Sequence, residues 1–159
     1  MELKIPESLE VEHKELHEQL YRGIKEGGRV GEAAKAVADI LHPHFEKEEE
    51  YALPPLGLLS SLIPEGQGDR EGESKITQDI KNNVIAMTDK LKSDLPHMIE
   101  EHNKIVTALN NLIEIAKVEN KIELVEFAEK LKLHAKTEEQ VLYPTAILIG
   151  KYLKLELNR

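Results

Sequence analysis

Residues 44–54 read HFEKEEEYALP, and residues 134–144 read HAKTEEQVLYP. Each stretch opens on histidine, places glutamates four and five residues later, and closes on proline. Ahead of each lies a second shared stretch, EHKELHEQL from Glu12 and EHNKIVTAL from Glu101. His102 follows His13 by 89 residues; His134 follows His44 by 90, as Pro144 follows Pro54. Within the copies the two histidines are 31 and 32 residues apart, which suits two antiparallel helices joined by a short turn. The chain is therefore a twofold internal repeat. Each copy carries one histidine on its first helix and H-x-x-x-E-E on its second.

Outward from the repeat, the apolar period is helical nearly everywhere. Leu9, Leu16, Leu20 and Ile24 form one stripe, and Gly27, Gly28 and Gly31 punctuate its end. Ala33, Val37, Ile40, Leu41 and Phe45 form the next, which stops at Pro54-Pro55; Pro43 inside it predicts a kink. Residues 64–73, PEGQGDREGE, read as a loop, with Ser74 as the N-cap of the next helix. From Ile76 to Ala116 the apolar positions keep one phase, which as a single helix would be about 60 Å long. Pro96 is the expected kink or break in it. A last helix is expected from Lys121 to Tyr143, ending at Pro144, with a short amphipathic tail beyond. No hairpin dipeptide separates alternating runs, so the class is all-α. The expected architecture is an antiparallel up-down-up-down four-helix bundle. Extra helical segments are expected between its second and third helices and at the C-terminus. It would be one domain over residues 1–159, with its core at about 7–145.

Composition narrows the chemistry. The 159 residues contain no cysteine, which excludes disulfides, thiolate metal sites and a cysteine nucleophile. Acidic residues outnumber basic ones 30 to 21, and a net charge of −9 argues against nucleic acid as partner. The N-terminus is charged from its second residue, and no apolar run reaches the roughly 18 residues of a membrane span. A cytoplasmic protein with no membrane contact is expected.

The i, i+4 spacing stacks His44 over Glu48 and His134 over Glu138, one turn apart on one face. Helical phase aligns His13 with Leu9, Leu16 and Leu20, and His102 with Met98, Ile105 and Leu109. All four histidines thus lie on core-facing stripes. Taken singly, each reads as a hydrogen-bonded core residue. Four inward histidines and two inward glutamates in one bundle are hard to satisfy by hydrogen bonds alone. A pair of divalent metal ions satisfies them together, since imidazole suits iron, zinc, copper and nickel and carboxylates can bridge.

These motifs resemble the hemerythrin-like, or HHE cation-binding, family. The pattern is His, then H-x-x-x-E, then E-H, then H-x-x-x-E-E closing on L-Y-P, over about residues 7–145. The resemblance implies a four-helix bundle around a non-haem di-iron centre with an oxo or hydroxo bridge, other divalent metals being alternatives. The ligands it implies are His13, His44, Glu48, His102, His134 and Glu138, with Glu48 and Glu138 bridging. Oxygen-carrying members have a histidine one turn before the third-helix ligand and a carboxylate five residues after the last histidine. Here those features are Met98 and Glu138 at plus four, which argues against reversible oxygen carriage. The chain is nearer to four-histidine, two-glutamate members, some associated with iron sensing, nitric-oxide stress or iron–sulfur repair. The function implied is binding of, or reaction with, O2, NO or peroxide, or handling of iron under stress. The alternatives are a sensing module without turnover and a bundle whose metals are only structural.

Several residues fall outside the repeat. His42 and His97 are expected to face solvent. His17, one turn after His13, reads as a supporting or boundary residue, with extra ligation as the alternative. Tyr51 shares the face of Glu48 and is expected to pack near the helix end or to hydrogen-bond the site. Glu49 and Glu139 lie about 140° from their own histidines and are expected to point away from them. The stripe Leu53, Leu56, Leu58, Leu59, Leu62 and Ile63 reads as a cap over one bundle end. A lid over the metals or a homodimer contact are its alternatives.

Overall fold

The computed structural model describes residues 2–63 and 76–159. Among these residues the chain is helical with no strand, and the helices assemble as a bundle. Helix α1 spans Glu7–Lys25. The positive φ values of Gly27 (70°) and Gly28 (58°) turn the chain at once into α2, Gly28–Lys47. A π-helical turn, Glu48–Ala52, a 3₁₀ turn, Pro54–Leu58, and a short α3, Leu59–Leu62, come next. Helix α4 runs Gln78–Val118, α5 Ile122–Thr137, and a second π turn Glu138–Leu142 leads directly into α6, Tyr143–Leu157. Helix α4 packs on α2, α5 and α6, while α1 packs on α2 and α5.

Three sequence expectations are corrected. Pro96 does not break α4, which is a single helix of 41 residues. One backbone bond is lost there, but fully buried Leu91 and Met98 hold the helix on either side. Pro144 does not end the last helix. It falls in the first turn of α6, where its missing N–H is not needed. Gly31 is not part of the inter-helix turn, because it lies buried inside α2 against the Ile24 carbonyl. The Ser74 cap and the loop over 64–73 lie outside the described residues. The cap seen on α4 is Thr77, whose hydroxyl accepts from the Ile80 N–H at 3.3 Å.

The apolar stripes form two main clusters. One contains Leu16, Leu20, Val37, Leu41, Phe45, Leu109 and Leu131. The other contains Tyr51, Leu53, Leu56, Leu58, Leu91, Met98, Tyr143 and Leu153. On α1, α2, α4 and α5 the buried histidines fall between the residues of these clusters, so a polar layer separates two dry cores. No helix among the described residues is long and apolar enough to cross a membrane.

Candidate metal centre

Seven polar or charged residues are buried among the described residues, and six of them are His13, His44, Glu48, His102, His134 and Glu138. The structure brings these six together in two groups. His13, Glu48, His134 and Glu138 form one, and His44, Glu48, His102 and Glu138 form the other. In each group the candidate donor atoms lie within 4.8 Å of one another. Both carboxylates belong to both groups, and each group takes one histidine from each copy of the repeat.

The Nε2 atoms turn inward. His44 Nε2 lies 2.9 Å from Glu48 Oε1, and His13 Nε2 lies 3.4 Å from Glu48 Oε2. His134 Nε2 is 3.2 Å from Glu138 Oε1, and His102 Nε2 is 3.7 Å from the same oxygen. The Nδ1 atoms turn outward, each to its own carboxylate. Nδ1 of His44 bonds Glu101 at 2.9 Å, and that of His102 bonds Glu139 at 2.8 Å. His134 bonds Glu12, and His13 Nδ1 lies 3.6 Å from Glu49. Sequence reasoning gave none of these four carboxylates a role at the site. Their signal was present, since E-H and E-E recur in both copies. Glu49 and Glu139 do point away from His44 and His134, as their phase requires, but they point at the histidines of neighbouring helices. Lys47 bonds the other oxygen of Glu101. Against the upward push of burial, Lys47 and His44 hold the Glu101 carboxyl below its ordinary range.

A fifth outer residue was also missed. The buried hydroxyl of Tyr143 donates to Glu48 Oε1. It lies 3.4 Å from His44 Nε2, 3.3 Å from His102 Nε2 and 3.5 Å from Glu138 Oε2. Leu53 holds the matching place in the first copy, so the repeat gave no signal there.

Two carboxylates in one dry pocket cannot both ionise freely. Burial and the charge of Glu48 raise Glu138 well above the ordinary glutamate value. Burial opposes the charge on Glu48 too, yet bonds from Glu138, His102 and His44 hold it well below. Burial likewise lowers His134. Burial disfavours a charged His44, but its bonds to Glu48 and Glu101 leave it above the ordinary histidine value.

The donor set fits metal ions. His13 Nε2, His134 Nε2 and Glu48 Oε2 are buried with no hydrogen-bond partner, and orphaned inward donors of this kind are costly unless an ion meets them. Imidazole and carboxylate together suit iron and its first-row neighbours.

His17 stands outside both groups. It stacks on His42 at 4.8 Å and meets Phe45 edge-on at 5.0 Å. His42 and His97 are exposed, as their phase requires. The Tyr51 hydroxyl turns from the centre to Asp94 Oδ2, at 2.7 Å, and its ring packs in the second core.

A family model described as the hemerythrin HHE cation binding domain matches residues 4–146. No curated protein and no solved structure matches the chain. The matched span contains both copies of the repeat and every residue of the polar layer, and the chain belongs to the hemerythrin HHE cation-binding domain family.

Proposed function

We propose that the chain is a di-iron protein whose centre binds or reacts with O2, NO or peroxide. His13 and His134 would hold one ion, His44 and His102 the other, and Glu48 and Glu138 would bridge them, with an oxo or hydroxo bridge between. One antiparallel up-down-up-down domain over residues 1–159 would carry the site. The observation that carries this reading is that both buried carboxylates are shared by two otherwise separate histidine pairs.

A bound iron pair supplies electrons and open coordination positions for a small oxidant. The protein's part is orientation and exclusion of water. Glu101, Glu139 and Glu12 accept the Nδ1–H of His44, His102 and His134, which fixes the tautomer and leaves the Nε2 lone pair directed inward, and Glu49 lies beside Nδ1 of His13 at 3.6 Å. Phe45 stacks on the His13 ring at 4.0 Å and walls it from solvent. Met98, fully buried, places an apolar side chain one turn before His102.

The test is anaerobic loading with ferrous iron, elemental analysis, then exposure to oxygen. Two irons per chain and a near-ultraviolet oxo-to-iron band are expected. A chain that retains no iron would overturn the proposal. Turnover of peroxide or nitric oxide separates a reactive centre from one that only senses.

A further inference from the structure

We propose that the two metal positions are inequivalent: Tyr143 closes the His44/His102 position as an extra oxygen donor, and a small exogenous ligand binds at the His13/His134 position. This rests on the two-ion reading above. The Tyr143 oxygen bonds Glu48 Oε1 and lies 3.3–3.5 Å from His102 Nε2, His44 Nε2 and Glu138 Oε2. Donors held at about 2.1 Å from one ion are themselves about 3.0–3.6 Å apart when adjacent. The hydroxyl therefore stands where a neighbouring vertex of that coordination shell belongs. On coordination its proton leaves to solvent.

Among the described residues the other position has no such group. Leu53 takes the place of Tyr143 in the first copy and offers no donor. The buried atoms without a hydrogen-bond partner in the layer, His13 Nε2, His134 Nε2 and Glu48 Oε2, all belong to this position. A cleft of about 430 Å³ between α1 and α5 reaches the outer side of His134, and we assign it as the entry route. Leu9, Val11, Leu133 and Leu142 line the cleft, and Glu12 and His134 lie along it. Glu15 and Lys130 also line the cleft, whose size suits a small ligand, and Val11 and Leu133 are exposed at 49% and 66%.

The ferric protein, loaded and assayed for iron, is titrated with azide and its resonance Raman spectrum recorded. The wild type is expected to show a tyrosinate-to-iron band with tyrosinate ring modes, and to bind one azide. Tyr143→Phe is expected to lose the band and modes and to bind two. Two irons without the tyrosinate signature, or an azide count unchanged by Tyr143→Phe, overturns this inference alone. A chain without metal overturns the underlying reading as well. The wild-type Raman spectrum decides the donor even if the variant fails to fold. Leu133→Trp at the mouth is expected to slow azide association about tenfold; an unchanged rate overturns the route.

Discussion

Glu138 and Glu48 share one dry layer, and in the metal-free chain the proton belongs to Glu138. Because the folded value of Glu138 is raised, its contribution to stability is complete below the ordinary glutamate range. It is lost as pH rises through the raised value. The opposite holds for Glu48, whose contribution persists at neutral pH and fades in acid. Glu138→Gln should therefore flatten the fall in metal-free stability between weakly acidic and alkaline pH. It should raise the melting temperature at pH 8 by about 2–4 °C, the shift that about 1 kcal/mol produces at this size. Thermal melts in chelator check it, and a variant less stable than wild type at pH 8 would sink the idea. The outer carboxylates are graded by exposure. Glu101 and Glu139, with side chains 20% and 31% exposed, should each weaken metal retention about 10–100-fold when changed to Gln. Glu49, 52% exposed and 3.6 Å from its ring, should have a smaller effect. Chelator competition ranks them.

At the scale of elements, both buried glutamates of the layer open a π turn. The Leu53 N–H reaches the Glu48 carbonyl at 2.9 Å, and the Tyr143 N–H bonds the Glu138 carbonyl. Each slip inserts one extra residue before a proline, which has no N–H to continue the α ladder. In the second copy it also aims Tyr143 into the polar layer. Deleting Gln140 should restore the α period and rotate Tyr143 by about 100° away from Glu48. Helix content should persist while the Tyr143 contact to Glu48 is lost, read as a changed tyrosine ring signal in Raman spectra of the metal-free chain. Helix α6 is seated closely on α4 at Gly150, where an added Cβ would come 1.9 Å from Thr88 Oγ1 and 2.7 Å from its Cβ. Gly150→Ala should destabilise by about 1–3 kcal/mol in denaturant melts, and adding Thr88→Ala should recover part of it. None of this register was legible in the apolar period, which marks faces and not backbone bonds. The period did locate the buried faces of α1, α2 and α4. The repeat located the six inward residues because both copies carry them. Tyr143 escaped for the same reason, since a comparison of copies is blind to a residue present in one.

For the whole molecule, the polar layer lies between two dry cores and draws donors from four helices. Ions bound there should act as cross-links as well as reactants. Ligation present only in the folded state adds about 4 kcal/mol at a thousandfold excess over Kd. Chelation should therefore lower the melting temperature by about 10 °C. Equal melting with and without metal would show that the ions do not brace the fold. The exchange of donors across the repeat has a further consequence. Each buried His/Glu group takes one imidazole from either half, and Glu12 and Glu101 each support a histidine of the opposite half. A chain half this long, with one copy, could complete neither position until it met a second copy of itself. The layout is that of two self-pairing helical hairpins joined in one chain, and Leu53 and Tyr143 mark where the two copies part in chemistry.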